Sequence, residues 1–332
     1  MENGNVQVAF FQHLKSQLPT HVSLVEEIAD LLNISTDSAY RRLRGEKPIS
    51  FEELQKLCMK YKISLDQLFH LQSDTLIFSG RNVGQPDFKF HQYLNGVVSN
   101  LQYMNTFEKK EIFHLNKDVP IFHFFYFPRL AAFKLYFWRR SIAQDEELLS
   151  HKFSFDLIDE ELLKVGEKMA DAYAQLPCTE IWNIENISAS LMQINYYKDS
   201  NLFQSTSDIH DVYQDLEKCI DHIEYQAELG YKTSPDGKVH YRHIPYRIYV
   251  NEFILGDNTI QVKLNDTLVT YLTHSVFNYL NTRDQQFNES ISKHFHNIIR
   301  KSTLISDSGE KDRRRFFTAI RTRINERKAA IS

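Results

Sequence analysis

Ser-x-x-Glu or Ser-x-x-Gln occurs three times in the first seventy residues, as Ser23-Leu-Val-Glu26, Ser50-Phe-Glu-Glu53 and Ser64-Leu-Asp-Gln67. In each, the serine hydroxyl is placed to accept from the amide three residues on. The acid or amide can reach back to the serine N–H, so each triplet marks where a helix starts. Starts this closely spaced permit only short helices, and the surrounding residues predict five. Phe10, Leu14 and Leu18 form one stripe of a first helix over Val6 to Leu18, stopped by Pro19. Val25, Ile28, Ala29 and Leu32 share a face of a second, which ends near Asn33, a residue that tolerates the left-handed conformation. Ser35 caps a third, with Ala39 and Leu43 inward, Gly45 at its end and Pro48 beyond. Ser50 opens a fourth carrying Phe51, Leu54, Leu57, Cys58 and Tyr61, and Ser64 a fifth carrying Leu65, Leu68 and Phe69.

The second and third helices, with a tight turn between them, have a specific logic. A small residue, Ala29, lets the two helices cross closely, and the apolar Ile34 pins the turn. The third helix then presents one face outward, where it can enter a major groove. The run Ile28-Ala29-Asp30-Leu31-Leu32-Asn33-Ile34-Ser35, followed by Ala39-Tyr40-Arg41-Arg42-Leu43-Arg44-Gly45-Glu46, resembles the lambda-repressor/Cro-like (Xre-type) helix-turn-helix domains, and the stretch around it resembles their BetR-type branch. The family's usual turn glycine is Asn33 here. The resemblance covers roughly residues 6–70 and implies a five-helix domain that binds double-stranded DNA.

With Ala39 and Leu43 turned inward, the opposite face carries Asp37, Arg41 and Arg44, flanked by Ser38 and Tyr40. Arg41 is the first candidate for a bidentate contact to guanine and Arg44 the second. Thr36 and Ser38, near the helix start, can meet base edges or phosphate. Arg42 and Lys47 read as phosphate contacts. Asp37 repels phosphate, so it faces a cytosine amine or a neighbouring arginine. An arginine-rich exposed helix face can also be merely solvated. Residues 1–70 carry 8 Lys/Arg against 9 Asp/Glu, so nonspecific affinity is expected to be weak and binding to depend on dimerisation.

At roughly 100–200 residues per domain, 332 residues leave room for more than this module. Residues 1–72 are the expected DNA-binding domain and 73–87 a linker with Gly80, Gly84 and Pro86. A helical domain follows over 88–233, then an α+β part over 234–332 that can join it in one domain. The aromatic run Pro120 to Phe127 reads as core, with a pocket wall or a dimer face as the alternative. A short strand is expected near Glu111–Leu115, helices at about 88–109, 129–142, 159–176, 184–199 and 208–229, and strands at about 246–253, 259–264 and 267–272. Helices resume from about Ser275. The expected fold class is therefore mainly α: a five-helix domain, then a larger helical domain with a small antiparallel β meander. The last predicted helix, Glu310 to Lys328, is basic on one side and has Phe316, Phe317, Ile320 and Ile324 on the other. It reads as a docked helix with a solvated basic face, or as a surface for phosphates or an acidic partner.

No run of about 20 uncharged apolar residues appears, so no membrane span is expected. No secretory signal is visible, and the three scattered cysteines, Cys58, Cys178 and Cys219, suit reduced core thiols. The expected location is the cytoplasm. No Gly-rich phosphate loop or nucleophile elbow occurs. His240 with His243, His294 with His296, and Ser290-Ile-Ser-Lys293 lack the partners that metal or acyl chemistry needs. No enzyme, cofactor or metal is expected. The reading is a sequence-specific transcription regulator, a homodimer whose C-terminal region dimerises and takes a small-molecule or protein effector. A scaffold that uses the first domain against a protein, or an unrecognised enzyme with a helix-turn-helix regulatory module, remains open.

Overall fold

The computed structural model describes residues 6–18, 23–61, 63, 65, 76–80, 88–254, 256–274, 276 and 278–331. The chain divides into two compact units, 1–77 and 78–332.

Among the described residues of the first unit, four helices surround one core: α1 (Val6–Gln17), α2 (Leu24–Leu32), α3 (Thr36–Leu43) and α4 (Phe51–Tyr61). The fifth expected helix, from Ser64 to Phe69, lies outside the described residues apart from Leu65. Phe10, Leu14, Ile28, Ala39 and Leu57 are each no more than 1% exposed and form the centre. Local chemistry sets the boundaries. Asn33 takes the left-handed conformation at φ 54°, ending α2. The Ser35 hydroxyl accepts from the Ser38 amide at 3.3 Å, starting α3. Gly45 follows that helix at φ 73°, which costs a glycine little. Ser50 and Glu53 form the full reciprocal cap of α4, at 3.2 and 3.0 Å. Ser23 occupies the corresponding place before α2 with extended backbone, but its hydroxyl makes no capping bond.

The second unit corrects the expected fold class. It is not a helical domain with a small antiparallel meander: among its described residues eight strands form one mixed sheet with helices on both faces. The strands are β1 (Lys110–Leu115), β2 (Cys178–Trp182), β3 (Tyr231–Thr233), β4 (His240–Val250), β5 (Thr259–Leu264), β6 (Thr267–His274), β7 (Asn278–Thr282) and β8 (Thr303–Leu304). Their order is β3-β4-β2-β1-β5-β6-β7, with β8 pairing β4. β1, β2 and β4 run parallel, joined by helical crossovers, whereas β5, β6 and β7 form an antiparallel meander hung on β1. Two of these strands leave little trace in the sequence. All five residues of β2 are buried, so it lacks the alternation that reveals a half-exposed strand. β7, Asn-Tyr-Leu-Asn-Thr, falls where a helix was expected to resume and pairs antiparallel with β6 instead.

Its helices include α5 (Phe90–Asn105), α6 (Ile121–Phe124), α7 (Pro128–Phe137), α8 (Glu160–Ala174), α9 (Ser188–Asp199), α10 (Thr206–Leu229), α11 (Gln285–Ile299) and α12 (Glu310–Ala329), with a further single turn at Glu146–Leu149. The aromatic run falls on α6 and its flanks and is core as expected, with Phe122, Phe124, Phe125 and Phe127 all buried. α11 packs on the opposite face, where Phe295 and Ile298 meet Leu115 and Ile181. Part of the expected linker belongs to this unit. Ser79 exchanges two 2.7 Å backbone bonds with Asn281, and the Phe78 ring meets Phe287 edge-on.

The basic last helix is docked through its apolar side and through part of its basic side, while Lys311, Arg314, Arg315 and Arg327 stay exposed. Phe317, Ile320 and Ile324 are fully buried. Arg321 donates to Asp221 at 2.7 Å and to Glu224, Arg323 to Glu185 at 2.6 Å, and Lys328 to Glu217 at 2.7 Å. Three of the eight basic side chains of that helix are thus matched by the chain's own acids.

Candidate nucleic-acid interface

Helices α2 and α3 cross where Ala29 and Ala39 lie, 6% and 0% exposed. The Ile34 amide donates to the Ala29 carbonyl at 3.0 Å and its side chain packs into the core. These contacts fix the angle at which α3 leaves the turn, and so the face it shows to solvent.

That face carries Thr36, Asp37, Tyr40, Arg41 and, just past the helix end, Arg44, all exposed, with Ser38 half-buried beside them. The Arg41 guanidinium has no hydrogen-bond or ion-pair partner among the described residues, and neither has the Lys47 ammonium or the hydroxyl of Tyr40, a residue 53% exposed. Arg44 pairs with Glu46 at 3.0 Å, both well exposed, an arrangement that solvent and a competing phosphate can easily exchange. Ser38 uses its amide on Ser35 and its carbonyl on Arg42, which leaves its hydroxyl at the helix start.

Arg42 departs from the sequence reading, which made it a phosphate contact. It is 6% exposed and turned into the domain. Its Nε and Nη2 donate to the two carboxylate oxygens of Glu53 at 3.0 and 2.7 Å, and Nη1 donates to the Ser38 carbonyl at 3.2 Å. The fork faces Glu53, so Arg42 holds α3 on α4 and does not stand on the exposed face of the helix. The hydrogen bonds from Arg42 hold the Glu53 carboxyl below its ordinary pKa. The signal was present in the sequence. Arg42 stands three residues after the buried Ala39 and hence on its side of the helix.

Two supporting residues were not singled out by the sequence. Gln7 on α1 donates to the carbonyls of Arg42 and Lys47 at 2.7 and 2.8 Å and accepts from the Ile49 amide at 3.0 Å. One side chain therefore ties down the loop that follows α3. Glu27 on α2 accepts from both Lys60 and Tyr61 at 2.8 and 3.1 Å, fixing α4 to α2. The result is a rigid frame that presents two arginines, a lysine, an aspartate and small hydroxyls on one side.

The family model of the BetR domain matches residues 15–91, and this stretch carries a helix-turn-helix domain of the Xre/lambda-repressor-like type. The match takes in α2, α3 and α4, under a quarter of the chain. No curated protein and no solved structure matches the chain. Among the described residues no helix is long and apolar enough to cross a membrane.

Proposed function

We propose that this chain is a sequence-specific transcription regulator of the cytoplasm, a binding protein rather than an enzyme. In this reading it acts as a homodimer on a two-fold operator whose half-sites lie about one helical turn apart. The second unit dimerises and receives the signal. One observation carries the reading: α3 divides its two adjacent arginines, Arg42 turned inward on Glu53 and the Arg41 guanidinium turned outward with no partner among the described residues. A helix that exists only to pack has no need of a second, unpaired arginine in the centre of its exposed face.

Arg41 is the base reader, by a bidentate contact to guanine, and Arg44 the second, released from Glu46 when phosphate or base approaches. Thr36, Ser38 and Tyr40 border the contact, and Lys47 neutralises backbone phosphate. Arg41→Ala is expected to weaken binding to the preferred duplex by about 1–3 kcal/mol and to relax discrimination at one base pair. Lys47→Ala is expected to weaken all sequences alike and to flatten the salt dependence. Quantitative gel-shift titrations at two salt concentrations separate the two effects. Equal losses on preferred and unrelated duplexes for Arg41→Ala would remove its reading role.

A further inference from the structure

The second unit has a half-open cavity of about 370 Å³ between α5 and the half of the sheet formed by β1, β5, β6 and β7. Its sheet wall is Ile112, Ile260 and Val262, and its helix wall Val97, Leu101 and Met104. No acidic, basic or imidazole side chain lines it among the described residues. An ionised ligand there would lose its hydration with no countercharge to replace it. Among the polar residues that line it are half-buried Tyr271 and exposed Asn100, whose side chains have no hydrogen-bond partner among the described residues. Burial raises the pKa of the Tyr271 phenol, so it stays a donor at neutral pH. The size and the apolar walls with few polar points are those of a small-molecule site.

The cavity also lies where the chain arrives from the first unit. Gly80 lines it, one residue after the Ser79–Asn281 bridge, and α5 is the first described helix of the second unit. A ligand there touches the elements through which any signal to residues 1–77 must pass along the chain.

We propose that this cavity binds a neutral, largely apolar small molecule bearing a hydrogen-bonding oxygen or nitrogen, which Tyr271 and Asn100 engage. Its role as the effector site rests on the regulator reading above; the binding itself does not.

The test titrates full-length protein, without DNA, with the neutral fluorophore N-phenyl-1-naphthylamine. The expected result is saturable binding of one probe per chain with enhanced, blue-shifted emission. Val97→Trp fills the cavity from a half-buried helix position and is expected to weaken binding at least tenfold, whereas Val97→Ala is expected to retain it. Should the tryptophan variant fail to fold, Tyr271→Phe decides: affinity for 1-naphthol falls at least threefold and that for naphthalene, which has no hydrogen-bonding atom, is unchanged. Absence of saturable binding, or unchanged probe affinity in a folded Val97→Trp variant together with unchanged 1-naphthol affinity in Tyr271→Phe, would overturn the site. A probe that binds the cavity yet leaves DNA affinity unchanged overturns the effector role. Probe binding by a chain that binds no DNA keeps the site and removes the regulator reading.

Discussion

Replacing Glu180 with alanine is expected to cost the second unit about 3–5 kcal/mol of stability, the range for removing one partner of a buried charged network. Glu180 sits in the middle of β2 and is 0% exposed. Its Oε1 accepts from the Tyr173 hydroxyl at 2.6 Å and meets His123 Nε2 at 3.1 Å. Its Oε2 accepts from the Trp182 indole at 2.7 Å and the Tyr246 hydroxyl at 2.9 Å. Burial opposes the charge, but the His123 ring, the hydrogen bonds from His123 and Tyr173, and Lys232 outweigh it and hold the carboxyl well below its usual range. Lys232 is itself buried against the Tyr173 ring, 3.5 Å from its centroid. Alanine would leave these groups facing an empty space, each unpaired donor costing about 1–3 kcal/mol less whatever repacking recovers. Against a typical stability of about 5–15 kcal/mol, that loss is a large share. Both tryptophans, Trp138 and Trp182, belong to the second unit, so indole fluorescence follows its urea unfolding alone. A shift of the midpoint equivalent to less than about 1 kcal/mol, below the cost of one orphaned donor, would show that the network adds little.

The corresponding residue of the first unit is Glu53, and Glu53→Ala is expected to cost it about 2–4 kcal/mol. Two losses combine. The α4 cap contributes about 1 kcal/mol, and an Arg42 guanidinium left 6% exposed without its carboxylate about 1–3 kcal/mol more. Glu53→Gln preserves the cap and one hydrogen bond and is expected to fall between. The pH dependence follows the depressed carboxyl. A group whose pKa is lower in the folded state stabilises above its unfolded value, near 4.3 for glutamate, and that contribution disappears as pH falls through the folded value. The first unit is therefore expected to lose stability below about pH 4, and the alanine variant to lack that component. Far-UV circular dichroism records the helices of both units, whereas tryptophan emission ignores the first. An early helical loss with an unmoved fluorescence midpoint is the expected signature. A variant as stable as the parent would mean that Arg42 finds other partners.

The first unit is legible from sequence because its instructions are adjacent residues. Asn33, Ser35, Gly45 and Ser50 each act within a few positions of themselves, so the boundaries of α2, α3 and α4 follow from local rules. Ser23 shows the limit, since its place was readable but its bond is not made. The exposure of Arg41 was legible from the helical period. The same period puts Arg42 on the side of Ala39, but its partner Glu53 lies eleven residues away, and only the folded chain brings the two together. The sheet was illegible for the same reason on a larger scale. β1 pairs with β2 more than sixty residues on and with β5 about 150 residues on, and parallel pairing carries no turn signature. The buried Cys-Thr-Glu-Ile-Trp of β2 contains a glutamate that reads as surface until its four partners are in place.

The most direct test of the central claim is selection of bound sequences from a random duplex library by full-length protein at a fixed salt concentration. The account predicts enrichment of a two-fold motif with half-sites about one helical turn apart, and loss of preference at one guanine per half-site for Arg41→Ala. No enrichment, or salt-sensitive binding that ignores sequence, would contradict it and turn attention to a protein partner for the exposed face of α3.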